Sequence, residues 1–231
     1  MRHIGIVGVS AEGAALCYRT ICAEGAARLG AHRHPPVSLH THPLSDYVGA
    51  LDRGDLQAVA ELMLDSAQRL AAAGAQFLIC PDNTVHQAFD RVAPGSPRPW
   101  LHIAEVVAAQ ARARGCRQVG LMGTRWLVAS DVYLRALQAQ GIECHRPDAA
   151  DAAETDRIIM DELVAGLALP DSVQRLCAVT QRLGHAGCDA VVRGCTELPL
   201  VLSDANAALP TLDSTRLLAR AALDRALGHA Q

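Results

Sequence analysis

The sequence has few aromatic residues, no lysine and no long apolar segment. Phenylalanine, tryptophan and tyrosine make up 3% of the 231 residues, whereas 50% are hydrophobic, so the core must consist mainly of alanine, leucine and valine. No apolar run approaches the ~20 residues that a membrane-spanning helix requires. With a net charge of −3, the chain also lacks the basic surface that nucleic acid or an anionic membrane would attract. We therefore expect a small-molecule partner, and neither nucleic acid nor a membrane.

The eight cysteines do not follow the spacing of a metal or disulfide framework. Their spacing is irregular and no CxxC pair occurs. The segment from Met1 to Gly5 leads into an apolar strand without a signal-peptide pattern. Such cysteines are typical of reduced thiols in a cytosol, so we predict a cytoplasmic protein without a structural zinc site.

A dinucleotide-binding fingerprint is missing after the first predicted strand, Ile4–Gly8. That fingerprint needs GxGxxG and an acidic residue ending the second strand, but here the glycines are misplaced and the second strand ends in His-Thr-His. We therefore predict no cofactor of this type. The loop that carries Ser10 can still bind an anion through its backbone amides, and Ser10 is a candidate substrate-binding residue.

Four histidines, His32, His34, His40 and His42, raise the question of a metal site. The first two lie in a predicted loop, and the other two flank the end of the second strand. No carboxylate accompanies them at a suitable spacing. We therefore predict no metal site, and expect His42 to lie beside the strand end in a ligand cleft.

Predicted strands alternate with predicted helices along the chain, which is typical of an α/β fold with parallel sheets. The clearest helix is Asp55–Ala73, where apolar residues recur every three or four positions and Asp55 can cap the start. Another helix is predicted over Asp151–Gly166. The proline-rich segment Pro94–Pro99 is the best internal boundary.

The first candidate for chemistry is Cys195, which follows the predicted strand Ala190–Arg193 and Gly194. We expect a helix to begin at the cysteine. The unpaired N–H groups at a helix start stabilise a thiolate and attract carboxylates. Cys195 is therefore predicted to be a nucleophile or base, although cysteine is also a common core residue.

The second candidate is Asp82, which follows the predicted strand Gln76–Cys80 and precedes Asn83 and Thr84. The stretch repeats the pattern of a buried strand, an abrupt stop and a side chain that can carry a proton. Two such turns about half a chain apart suggest a cleft between two similar half-domains. Asp82 is also a good helix N-cap, and both roles can belong to the same residue.

Several short motifs, taken together, resemble the aspartate/glutamate racemase superfamily, the amino-acid racemases that work without pyridoxal phosphate. They occur in the family order over essentially the whole chain: Asn83-Thr84-Val85-His86, Leu101-His102-Ile103, Gly123-Thr124-Arg125, Gly194-Cys195-Thr196-Glu197-Leu198-Pro199 and Leu212-Asp213-Ser214-Thr215.

The resemblance implies two pseudo-symmetric α/β half-domains, each with a parallel sheet flanked by helices, and an active site in the cleft between them. It also implies a homodimer and an enzyme without a cofactor. We predict an N-terminal half-domain over residues 1–97, completed by a C-terminal helix over 213–231, and a second half-domain over 98–212.

In this family two cysteines face opposite sides of the substrate α-carbon, and one removes the proton that the other replaces. Cys195 matches the second cysteine, but the first is Asp82 here. A desolvated carboxylate can still carry a proton. We therefore predict an amino-acid racemase or epimerase that uses Asp82 and Cys195 as its catalytic pair.

The resemblance also implies which residues hold the substrate. Asn83, Thr84, Thr124 and Thr196 match the positions that hold the substrate carboxylate, and Glu197 is expected to contact the ammonium or its own helix start. In the loop after the second strand, Tyr47 replaces the arginine that binds the distal carboxylate in aspartate racemases. Without that arginine or any lysine, the substrate need not be aspartate.

Two other functions remain open at this stage. One is a lyase or isomerase of the same superfamily with one cysteine, similar to arylmalonate decarboxylases, in which Cys195 protonates an enediolate from one face. The other is a small-molecule binder without catalytic activity.

Overall fold

The computed structural model describes residues 1–228, which form two compact units. Unit 1 consists of Met1–Val106 together with the described residues from Thr215 onward, and unit 2 consists of Val107–Ser214. The half-domain boundaries expected from the sequence, residues 1–97 with 213–231 and residues 98–212, remain predictions. Residues 229–231 of the predicted C-terminal helix lie outside the described residues.

The described residues form eight strands in two four-stranded sheets, with the order β2-β1-β3-β4 in unit 1 and β6-β5-β7-β8 in unit 2. All pairings within each sheet are parallel. The strands are β1 (Ile4–Gly8), β2 (Val37–Thr41), β3 (Phe77–Ile79), β4 (Trp100–Leu101), β5 (Gln118–Met122), β6 (Glu143–His145), β7 (Ala190–Arg193) and β8 (Thr211–Asp213). The two sheets share one strand order, and the predicted α/β fold with parallel sheets is confirmed.

Helices follow most of the strands. They are α1 (Ala11–Leu29), α2 (Leu44–Asp52), α3 (Leu56–Ala72), α4 (Phe89–Val92), α5 (Ile103–Ala113), α6 (Arg125–Ala129), α7 (Val132–Ala139), α8 (Ala149–Arg157), α9 (Pro170–His185), α10 (Leu198–Val201) and α11 (Ser214–Leu227). Within residues 1–228, no helix combines the length and the apolar character needed to cross a membrane.

Helix α3 forms where the apolar spacing predicts it and supplies much of the core of unit 1. The Asp55 carboxylate accepts a hydrogen bond from Ala58 N at 3.0 Å and so caps the helix start. Val59 and Met63 are fully buried and Leu70 nearly so, in the same cluster as Leu78 of β3. Each large apolar side chain buried in this way contributes about 1.5–3 kcal/mol.

The helix predicted over Asp151–Gly166 is not continuous. It begins earlier as α8, becomes a π-helical turn over Ile158–Glu162 and ends in a 3₁₀ turn over Leu163–Ala165. The π turn lies in the core of unit 2, where Ile158 and Ile159 are both buried.

Residues 44–52 form helix α2 where the sequence suggested a loop. Tyr47 and Ala50 are its buried residues, and with Leu44 and Leu51 they follow the three- and four-residue spacing of an amphipathic helix. The polar pair Ser45 and Asp46 masked this pattern in the sequence.

Gly5 of β1 lies against side chains of helix α3, strand β3 and the turn between them. A Cβ atom at this position would lie 2.6 Å from Leu78 Cδ2 and 2.9 Å from Ala75 Cβ. We expect Gly5→Ala to lower the free energy of unfolding by about 1–3 kcal/mol, because the added methyl group overpacks a filled core. The measurement is urea unfolding followed by circular dichroism.

The matched control is Gly49→Ala in helix α2. At Gly49 the nearest atom to a new Cβ is the flexible end of Arg53 at 3.4 Å, and alanine is the better helix former by about 1 kcal/mol. This variant should unfold at the same or a higher urea concentration. Equal midpoints for Gly5→Ala and the unchanged protein would contradict the packing argument.

Candidate active site

In unit 1, Ser10 and Asp82 lie beyond the carboxyl ends of two adjacent strands. Ser10 follows β1 and Asp82 follows β3, and β1 pairs directly with β3. From β1 the chain continues to β2 on one side, and from β3 it continues to β4 on the other. Such a reversal in strand order leaves a crevice that commonly binds ligands in open parallel sheets.

Unit 2 repeats this arrangement with Thr124 and Cys195. Thr124 follows β5 and Cys195 follows β7, and these two strands pair in the middle of the second sheet. Each unit therefore presents one residue that can carry a proton, next to a hydroxyl residue, at the reversal point of its own sheet.

Strand β7 fixes the position of Cys195. All four residues of the strand are buried, and Gly194 N donates to Met122 O at 2.8 Å. A side chain at Gly194 would meet Leu127 Cδ2 at 2.5 Å and Met122 O at 3.0 Å, so only glycine fits at this turn. Cys195 follows with 8% of its surface exposed.

The immediate partner of Cys195 is Glu197. Cys195 Sγ donates a hydrogen bond to Glu197 Oε2 at 2.5 Å, and both residues are buried. Helix α10 begins only at Leu198, three residues beyond the cysteine, and the Glu197 side chain makes no capping bond to it. A carboxylate, rather than the expected helix start, is therefore the group in contact with the thiol.

The hydroxyl residues of unit 2 are held in place next to Cys195. Thr124 Oγ1 accepts a hydrogen bond from Leu127 N at 3.4 Å and caps α6. Thr196 directly follows the cysteine, and both threonines are buried. Capping therefore accounts for part of the role of Thr124. Its hydroxyl group lies at the point where the strand order of the sheet reverses.

Arg193 stabilises the carboxyl end of strand β7 through its side chain and its carbonyl group. Its Nη2 forms a buried ion pair with Asp213 Oδ2 of β8 at 3.3 Å, and its Nη1 donates to Leu202 O. Ser214 Oγ donates to the Arg193 carbonyl at 3.0 Å. These bonds tie β7 to β8 and keep the turn at Cys195 in place.

In unit 1, Asp82 makes local bonds through both its side chain and its backbone. Its Oδ1 accepts a hydrogen bond from Val85 N at 3.1 Å, which is the capping role anticipated from the sequence. Its carbonyl accepts a bond from His86 Nδ1 at 2.7 Å. The next two residues, Asn83 and Thr84, are buried beside it.

Cys80 is a poor replacement for the cysteine that Asp82 displaces. It is fully buried, and this burial, followed by the nearby charge of Asp82, raises the pKa of its thiol well above the ordinary value. A thiolate at this position is therefore disfavoured, which leaves Asp82 as the candidate proton carrier of unit 1.

His86 and His102 form an aromatic cluster behind Asp82 rather than a second acid–base pair. Their ring centroids are 4.6 Å apart, and both rings contact Phe89. Burial lowers the pKa of His86 well below its usual value and that of His102 to about 4. Both imidazoles are neutral near pH 7, and His86 serves to hold the Asp82 carbonyl.

Tyr47 is buried in helix α2 and lies near Asp82. Burial raises the pKa of its hydroxyl far above the usual range, and the charges of Cys80 and Asp82 add to this shift. The nearby Ser66 hydroxyl opposes the shift, but within the described residues no hydrogen bond of good geometry reaches Tyr47 Oη. Tyr47 thus places a hydroxyl group among the apolar side chains of the unit 1 core.

Ser10 caps helix α1, because Gly13 N donates to its Oγ at 3.2 Å. The structure thus groups the nine candidate residues by unit. Ser10, Tyr47, Asp82, Asn83 and Thr84 lie in unit 1, and Thr124, Cys195, Thr196 and Glu197 lie in unit 2.

The sequence did not identify Glu197 as the partner of the thiol. Its position two residues after Cys195 was the available signal, since the chain bends over residues 195–197 and brings the two side chains together.

Comparisons with known proteins agree with this arrangement. The family model for Asp/Glu/Hydantoin racemases matches residues 5–222. A candidate Asp/Glu racemase of known structure from Yersinia pestis is 31% identical, with a TM-score of 0.90 over 98% of this chain and 100% of the other. An aspartate racemase homologue from Pyrococcus horikoshii OT3 is 25% identical, with a TM-score of 0.83 over 98% and 100% of the two chains.

A curated relative is also an amino-acid racemase. The broad specificity amino-acid racemase RacX of Bacillus subtilis (strain 168) is 25% identical over 202 residues, which cover 85% of this chain and 84% of the relative. These matches confirm the resemblance seen in the motifs. The chain therefore belongs to the Asp/Glu/Hydantoin racemase family, whose named members here are isomerases.

Proposed function

We propose that this isomerase is an amino-acid racemase or epimerase without a cofactor, in which Asp82 and Cys195 exchange the proton of one substrate α-carbon. The observation that carries the proposal is the buried hydrogen bond from Cys195 Sγ to Glu197 Oε2 at 2.5 Å. A thiol at a strand end that is directly bonded to a carboxylate has a partner that can take up and return its proton.

The proposal gives each carrier a role in the resting state. Cys195 is the protonated carrier, in contact with the Glu197 carboxylate, and Asp82 is the ionised carrier, as an aspartate ordinarily is near pH 7. In one direction Asp82 removes the α-proton and the Cys195 thiol protonates the opposite face. This leaves the Cys195 thiolate and protonated Asp82, which are the starting state for the other direction: the thiolate removes the α-proton and Asp82 delivers its proton to the opposite face. Between turnovers, proton transfer through Glu197 and solvent interconverts the two states of the free enzyme.

The α-proton of an amino acid is a very weak acid, so the developing negative charge on the substrate carboxylate needs oriented donors. Asn83 and Thr84 lie beside Asp82, and Thr124 and Thr196 lie beside Cys195, all four buried. A donor aimed at such a charge in a water-poor site contributes on the order of 3 kcal/mol. These four residues are the proposed binding site for the substrate carboxylate.

The composition supports a mechanism without pyridoxal phosphate. Enzymes that use pyridoxal phosphate hold the cofactor as a Schiff base on a lysine amine. The lysine and arginine residues of this sequence number 21 together, and all of them are arginine. The chain therefore offers no lysine side chain for the linkage.

The proposed substrate is an amino acid whose side chain does not require a second carboxylate-binding arginine. Tyr47 replaces that arginine and presents an uncharged hydroxyl near Asp82, since its pKa is strongly raised by burial. A homodimer and a cytoplasmic location, both expected from the sequence, complete the proposal.

One observation favours a second candidate, the lyase or isomerase with a single cysteine. The Asp82 carboxylate already caps the turn at Val85 N, and a residue committed to capping would leave Cys195 to protonate an enediolate alone. Label from solvent separates the two mechanisms. With two proton carriers, deuterium appears at the α-carbon of the inverted product. With one carrier, deuterium is added to only one face of the intermediate.

The first test is incubation with a pool of L-amino acids and, separately, with a pool of D-amino acids in heavy water, followed by proton NMR and chiral chromatography. We expect loss of an α-proton signal together with the appearance of the opposite enantiomer. Cys195→Ala should lower this rate by at least about 10²-fold, the contribution typical of a general acid or base.

The control is Cys177→Ala, which removes a partly buried thiol from helix α9 and should leave the rate unchanged. Equal rates for Cys195→Ala and the unchanged protein would refute the role of the thiol. Exchange without inversion would favour the single-cysteine candidate instead.

A pair of substitutions at Asp82 separates capping from proton transfer. Asp82→Asn keeps an oxygen that can accept from Val85 N but cannot carry a proton, so stability should hold while the racemisation rate falls about 10²-fold or more. Asp82→Cys loses the cap, at a cost of about 1 kcal/mol, but restores a second thiol and should racemise faster than the unchanged protein.

Thermal unfolding and racemisation rates of both variants provide the measurement. Full activity in Asp82→Asn would assign Asp82 to capping alone. An inactive but folded Asp82→Cys would show that a second thiol at this position does not serve the reaction.

Glu197→Gln removes the acceptor for the thiol proton and keeps the shape of the side chain. We expect kcat/KM to fall about 10-fold or more, and by the same factor for both enantiomers because the equilibrium constant of a racemisation is one. Steady-state kinetics in the two directions measure this, with Glu143→Gln on strand β6 as control. Unchanged kinetics in Glu197→Gln would exclude Glu197 as the proton partner.

A further inference from the structure

A cluster of two histidines and a carboxylate lies at the edge of unit 1. His40 is in edge strand β2 and His42 follows the strand end, two residues later. Asp65 comes from helix α3, and one potential ligand atom from each of the three residues lies within 4.8 Å of the others. The His-X-His spacing places both rings on one side of the strand, and α3 supplies the carboxylate that the local sequence lacks.

We propose that His40, His42 and Asp65 bind a divalent transition-metal ion of the zinc class. Two imidazoles and one carboxylate are a donor set that such ions accept, with a fourth position left for water or another ligand. The site lies wholly within unit 1 and does not depend on the proposed racemase activity.

The distance between His42 and Asp65 already suits a shared metal, and His40 lies within 4.8 Å of them. His42 Nε2 lies 2.9 Å from Asp65 Oδ2, whereas two ligands at ordinary zinc distances in a tetrahedral site are about 3.3 Å apart. The two side chains need to separate by only a few tenths of an ångström. His40 is held by a contact of 2.9 Å between its Nδ1 and Ser66 Oγ, which is the kind of support that orients metal-binding imidazoles.

Arg69 is the competing cation. Its Nε donates to Asp65 Oδ2 at 2.6 Å, and 60% of the side chain is exposed. Because an exposed arginine can turn into solvent at little cost, metal can displace this contact. The competition predicts a specific effect, namely that removal of the Arg69 charge tightens metal binding.

Beside the cluster lies a groove of about 660 Å³ between α2 and α3, lined by His42, Arg53, Glu61, Asp65 and Arg69 among others. It gives solvent and small ligands access to the fourth coordination position.

The test is titration of Co²⁺ into the full-length protein, monitored by visible absorption and calorimetry. We expect one ion per chain and the strong visible bands of a four-coordinate nitrogen and oxygen site, without a sulfur charge-transfer band. His42→Ala and Asp65→Asn should each weaken binding at least tenfold, and Arg69→Gln should strengthen it. Added Zn²⁺ should displace the cobalt and raise the melting temperature.

The matched control is His32→Ala. His32 and His34 repeat the His-X-His spacing, but they take part in no such cluster within residues 1–228, so this substitution should leave binding unchanged. No binding, binding that survives His42→Ala, or a cobalt spectrum with thiolate bands would each overturn the proposal. Racemase assays on the same variants test the proposed function separately from metal binding.

Discussion

The parallel pairing of the two middle strands in each sheet is the constraint on which the candidate site depends. Since β1 pairs with β3 and β5 pairs with β7, their carboxyl ends lie side by side while the chain leaves them in opposite directions. Turns at these points can present side chains and backbone N–H groups to a ligand. A proton carrier at each of them needs only a tight turn, which Gly194 provides in unit 2 and the capped turn at Asp82 provides in unit 1.

Local patterns in the sequence were sufficient for the strands, for helix α3 and for the positions of Asp82 and Cys195 at strand ends. They were insufficient where tertiary packing decides the outcome. The π turn over Ile158–Glu162 has no local signal in the sequence, and helix α2 depends on the burial of Tyr47. Asp65 meets His42 across 23 positions in the chain, a contact that no local spacing reveals.

The two units share one strand order but hold their candidate proton carriers differently. Cys195 is bonded to a side-chain carboxylate, whereas Asp82 is bonded to the backbone of its own turn. A carboxylate partner can take a proton from a thiol, but a backbone amide can only donate to Asp82. The asymmetry between the two candidates therefore lies in their surroundings as well as in their chemical identity.

The buried imidazoles behind Asp82 make unit 1 sensitive to acid. Both His86 and His102 have pKa values lowered by burial from the ordinary 6.5. Below that pH the unfolded chain binds protons that the folded unit excludes. The folded state thus loses stability as the pH falls from 6.5 towards about 4, where His102 itself becomes protonated. Protonated His102, whose ring centroid lies 4.6 Å from that of His86, would then place a charge behind the turn that holds Asp82, so acid should loosen this turn.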